Sequence, residues 1–96
     1  MITHIVLFKL KDNSIESIEK ARDILMDMKG RIPGLKDIEV GVDITRSDRS
    51  YDLALITKFD SVKDLDAYQA HPIHVKVSEY ILSIRESTIT VDYKSS

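Results

Sequence analysis

The sequence predicts an α+β domain with a ferredoxin-like protomer, and two observations carry that prediction. Four segments alternate apolar and polar residues with a period of two, while the segments between them space their apolar residues as helices do. Their order is strand, helix, strand, strand, broken helix, strand, which is the split strand-helix-strand arrangement of a four-stranded antiparallel sheet with its helices on one face. With 96 residues and 43% hydrophobic content, the chain can enclose one core and little else, so residues 1–96 are read as a single domain.

Residues 2–11 make the first strand, with Ile2, His4, Val6, Phe8 and Leu10 on one face and Thr3, Ile5, Leu7, Lys9 and Lys11 on the other. The first face is the better core candidate, so His4 is expected to point inward. Viewed alone, such a histidine is accounted for by a neutral ring hydrogen-bonded to backbone. Asp12, Asn13 and Ser14 supply caps for a helix whose inward stripe is Ile15, Ile18, Ala21, Arg22, Leu25, Met28 and Ile32. The helix is expected to run to about Lys29, where Gly30 closes it in a left-handed conformation. Residues 35–44 place Ile38, Val40, Val42 and Ile44 on one side of a second strand. The stretch TRSDRS at 45–50 has no apolar residue and reads as a solvated loop. In the third strand, 51–59, both faces keep apolar character, which suits a sheet covered on each side.

Asp60 or Ser61 caps a second helix with Val62, Leu65 and Tyr68 turned inward. Pro72 disfavours helix at the residue before it and suits a first helical position, so this helix ends at about His71 and a third begins at once. Val75, Val77, Tyr80, Ile81 and Ile84 follow, and a fourth strand at 88–93 sets Ile89, Val91 and Tyr93 against Thr88, Thr90 and Asp92. The face with Ile5, Leu7, Ala54 and Ile56 is too apolar to leave in water, so two sheets are expected to pack together in a homodimer.

Composition narrows function by exclusion. There is no cysteine, hence no disulfide framework and no thiolate metal site. The net charge of -2 is spread over interspersed acids and bases, which argues against nucleic acid as a partner. No apolar run approaches membrane-spanning length and the start does not read as a secretory leader, so a soluble, cytoplasmic protein is expected.

The stretch YQAHPIH at 68–74 holds most of the polar chemistry. It leaves His71 at the helix junction and His74 in the first turn of a helix, where the positive terminus disfavours the imidazolium. Tyr68 and His74 can then act as a phenol donor and a neutral imidazole, the pair needed for proton abstraction beside a carbonyl. The competing account is that His71 caps a helix and Tyr68 is a core residue. The carbonyls at the end of the first helix can also hold a cation, although water is their ordinary partner.

HIVLFKLK, IPGLKDIEVGVDI and YDLALITKFDSVKDLDAYQAHPIH together resemble the stress-responsive dimeric alpha-beta barrel family over essentially the whole chain. The resemblance implies a dimeric α+β barrel with a cavity between sheet and helices in each protomer. One plant member of the family is a polyketide cyclase. Its general-base histidine corresponds to His74, its partnering tyrosine to Tyr68 and its strand-one histidine to His4, while His71 matches a further family histidine. A cavity histidine of that cyclase is replaced by Leu53. The resemblance also implies a magnesium ion held by the main-chain carbonyls of Lys29, Ile32 and Leu35; no other cofactor is expected. Two functions follow: a protein binding a small hydrophobic ligand through His4, Leu53, Tyr68, His71 and His74, or a cofactor-independent enzyme of cyclase or lyase type with His74 as base, Tyr68 stabilising an enolate and His4 orienting substrate.

Overall fold

A computed structural model describes residues 1–95. Its elements are β1 (Ile2–Leu10), α1 (Ile15–Met26), β2 (Asp37–Val42), β3 (Leu53–Phe59), α2 (Val62–Ala70), α3 (Pro72–Ile84) and β4 (Arg85–Lys94). The strands form one antiparallel sheet in the order β2-β3-β1-β4, so β3 and β1 are its central pair and β2 and β4 its edges. This is the ferredoxin-like arrangement expected from the element order.

Register decides which side chains meet. His4 lies opposite Thr57 and Asp92, Val6 opposite Leu55 and Thr90, and Phe8 opposite Leu53 and Thr88. Because alternate residues share a face, these positions all look toward the helices. There they pack with Ile18, Ala21 and Leu25 of α1 and with Leu65 and Tyr68 of α2 in one continuous core. The opposite face carries Ile5 between Ile56 and Val91, and Leu7 between Ala54 and Ile89.

Local chemistry sets the ends of the elements. Ser14 and Ser61 cap α1 and α2 through side-chain oxygens that accept from Ser17 and Asp64 amides. The first helix stops at Met26, earlier than its apolar spacing implies, because the following amides of Met28, Lys29 and Arg31 bond three residues back in tight turns. Met28 and Ile32 nevertheless stay buried, and Gly30 has the expected positive φ of 76°. Ile44 is 93% exposed and lies beyond the end of the second strand, so the alternation expected over 35–44 stops at Val42. Val62 and Ile15 are likewise exposed, since each opens its helix outside the packed stripe.

One irregularity interrupts the sheet. Lys9 faces Ser87 and Leu10 faces Arg85, so Glu86 is an extra residue on β4. On the other side of β1, the Leu10 amide donates to the carboxylate of buried Asp52 at 2.8 Å, and the Asp52 amide donates to the Phe8 carbonyl at 2.8 Å. A side chain thus completes the ladder where β3 begins.

Candidate functional site

Between the sheet and α2 and α3 lies a cavity of about 290 Å³ whose walls include His4, Val6, Phe8, Leu55, Tyr68 and His74. A larger groove, about 780 Å³, runs over Glu16, Lys20, Asp23 and Lys76 on the outside of α1 and α3. It has no buried polar group, whereas the smaller cavity collects two histidines and a tyrosine.

Three residues meet at this cavity, His4 from the first strand and Tyr68 and His74 from the stretch 68–74. Tyr68, on the inward stripe of α2, is completely buried, with its ring 5.0 Å from Phe59, 6.3 Å from His4 and 4.4 Å from His74, centroid to centroid. Burial raises its pKa well above that of an ordinary tyrosine, so the phenol keeps its proton. Its hydroxyl donates to the Met28 sulfur at 3.9 Å, a weak acceptor that a ligand oxygen can replace.

His74 owes its position to the break at Pro72. The second helix ends at Ala70, which leaves the carbonyl of Gln69 without a partner inside the helix. His74 Nδ1 donates to that carbonyl at 3.1 Å. Since a carbonyl only accepts, Nδ1 carries the proton and Nε2 keeps its lone pair in the neutral ring. Its pKa is lowered, first by burial and also by the charge of His4, with the Gln69 hydrogen bond acting in the opposite direction.

His4 is buried at the wall of the cavity, and its Nδ1 pairs with the carboxylate of Asp92, its neighbour across the β1-β4 ladder. The carboxylate accepts from Nδ1–H and fixes the ring's orientation. Asp92 is the partner that reading the sequence missed; only the antiparallel register of strands 88 residues apart reveals it.

Two residues assigned to the ligand site lie elsewhere. Leu53 is buried opposite Phe8 and Val42, and the wall position on β3 is taken by Leu55, one full alternation nearer His4. His71 serves the helix junction, where its Nδ1 accepts the Ile73 amide at 3.1 Å as the N-cap of α3, away from the cavity wall. Arg85 does line the cavity, although neither helical nor strand spacing singled it out.

Lys29, Ile32 and Leu35 stand in the segment between α1 and β2. The Ile32 carbonyl already accepts the Leu35 amide at 3.3 Å, and among the described residues no group of three His, Asp or Glu side chains gathers to hold a metal. Magnesium ordinarily takes one or two carboxylates along with its waters, whereas these three residues offer neutral carbonyls only.

The fold and site together define a ferredoxin-like α+β protein with a small, largely apolar cavity under its helices on which a few polar side chains converge. The chain matches the stress responsive A/B barrel domain over residues 2–95 and belongs to that family. It is 27% identical to olivetolic acid cyclase of Cannabis sativa over 96% of this chain and 94% of that protein. It is 28% identical to the stress-response A/B barrel domain-containing protein DABB1 of Arabidopsis thaliana over 97% of this chain, and it spans about half of that protein, 46%. A dimeric ferredoxin-like protein of unknown function from Thermobifida fusca has a similar structure, with a TM-score of 0.87 and 27% identity over 98% of this chain and 90% of that one.

Proposed function

We propose that the protein is a homodimer that holds a small, mostly apolar, carbonyl-bearing molecule in the cavity between sheet and helices. The observation that carries this reading is the meeting of His4, Tyr68 and His74 on a cavity whose other walls are largely apolar. A few convergent polar groups in an apolar hollow are the usual form of a small-molecule site, and 290 Å³ lies near the lower end of the range for one. Medium-chain methyl ketones are the simplest probes. Titrating one into labelled protein should shift the amide resonances of Val6, Leu55, Tyr68 and His74, and Tyr68→Phe should weaken binding. Shifts confined to the outer surface, or none at all, would end this reading. The dimeric state of the Thermobifida fusca structure supports the homodimer.

A second reading, cofactor-independent catalysis of cyclase or lyase type, has its own support in the tautomer of His74. With Nδ1 tied to the Gln69 carbonyl and the imidazolium disfavoured, Nε2 is a base at neutral pH. It would take a proton from the carbon beside the ligand carbonyl, and the C–H electron pair would pass to the oxygen, where the Tyr68 hydroxyl stabilises the enolate. The likeness to a cyclase supports this chemistry. Its signature is faster deuterium exchange at that carbon in a bound ketone. His74→Ala should slow the exchange on the order of 100-fold or more; equal rates in the two proteins would dismiss catalysis and leave binding.

A further inference from the structure

We propose that Arg85 is the anion anchor of this cavity, so that its ligand is a small carboxylate whose apolar body runs along β1 toward the histidines. The inference deepens the cavity reading and rests on it. It begins with the irregularity in β4. Thr88 faces the helices opposite Phe8 and Ser87 faces away opposite Lys9, so regular alternation would turn Glu86 inward and Arg85 outward. The extra residue reverses this. Arg85 takes the place opposite buried Leu10 and lines the cavity, while Glu86 is exposed. A bulge here exchanges a carboxylate for a guanidinium at the cavity wall, and re-aiming a side chain beside a site is a recurrent use of such bulges.

The exchange is electrostatically one-sided. No aspartate or glutamate lines the cavity, and none of the ion pairs among the described residues includes Arg85. The guanidinium's side-chain contact is a single long donation to the Thr88 hydroxyl at 3.4 Å, which leaves most of its five donors for another acceptor. Thr88 and Thr90 add hydroxyls along the same wall. A planar fork beside a partly desolvated hollow suits a carboxylate bound through two oxygens. Distance sets the ligand's length. Thr88 and Asp92 are separated by four strand steps, about 13 Å at ~3.3 Å per residue, and Asp92 pairs with His4. A medium-chain carboxylate with a carbonyl far from its acid end spans that interval, with Val6, Phe8, Leu55 and Ile81 against its chain.

Isothermal titration calorimetry on the full chain tests this with decanoate, methyl decanoate and a methyl ketone of the same length. Decanoate should bind the wild type about tenfold or more tightly than its ester. Arg85→Gln should bring the acid down to the affinity of the ester, and Arg85→Lys should recover part of the preference; melting curves confirm that both variants fold. An acid preference that survives Arg85→Gln, or no preference in the wild type, overturns the assignment and makes Arg85 an ordinary surface cation. If the ketone binds and the acid gains nothing, only this inference falls. Failure of all three probes to bind removes the cavity reading along with it.

Discussion

Tyr68 and His74 can be separated into packing and chemistry because their polar atoms make few demands on the fold. The Tyr68 hydroxyl has only a thioether partner, so Tyr68→Phe should change stability by less than about 1 kcal/mol while it removes the donor to a ligand carbonyl. Tyr68→Ala, by contrast, empties a wholly buried ring site and should cost about 3–5 kcal/mol in chemical denaturation. His74 gives a pH signature. Its folded pKa lies below the ordinary 6.5, so the unfolded chain binds the proton first as pH falls. Its contribution is therefore fully present above pH 6.5 and is lost as pH falls from there toward the lower folded value. Thermal melts between pH 7.5 and 5 should show a shallower decline for His74→Asn than for wild type; parallel declines would place the titration elsewhere. The sequence anticipated a neutral His74 from its place in a first helical turn, and the lowered pKa agrees in direction, but its causes are burial and the charge of His4 and not the helix terminus. Asp92 and Arg85 were not legible in the same way. One acts through a partner 88 residues distant, and the other through a bulge that strict alternation does not foresee.

At the level of elements, the sequence showed order and type because periodicity and caps are local. Boundaries were less legible wherever a side chain or a turn competes with the repeating pattern. The fourth strand begins at Arg85, directly on the end of α3, while its alternation becomes readable only from Thr88 onward. His71 shows the same principle to advantage, since Pro72 fixed the break and the ring caps the helix that follows. His71→Ala should cost about 0.5–2 kcal/mol in urea denaturation and leave ketone affinity unchanged. A stable His71→Ala protein that no longer bound ketone would return this residue to the ligand site. Asp52 is the comparable device in the sheet. Asp52→Ala leaves the buried Leu10 amide without its acceptor and should cost about 1–3 kcal/mol, whereas Asp52→Asn keeps an acceptor oxygen and should cost less.

For the whole molecule, the outer sheet face is the surface that the proposed homodimer would bury. Ile5, Leu7, Ala54 and Ile56 already implied a buried face in the sequence, and β4 extends it. Its polar residues Thr88, Thr90 and Asp92 share the helix side with Val6 and His4, which turns Ile89, Val91 and Tyr93 outward. These three are 53%, 53% and 47% exposed in the single chain, beside Ile5 and Leu7 in register. A contiguous apolar stripe of this kind is unusual on a monomer, and a second sheet packed across it about 10 Å away would cover it. The double variant Ile89→Lys, Val91→Lys should therefore sediment as a monomer at concentrations where wild type is dimeric, with its helix-side core unaltered because neither residue points there. Since the opposite face of the same edge strand lines the cavity, loss of the partner should also weaken ketone binding. A wild-type chain that remains monomeric throughout a micromolar dilution series would refute the homodimer, and a monomeric variant with full ketone affinity would show that the cavity is complete within one chain.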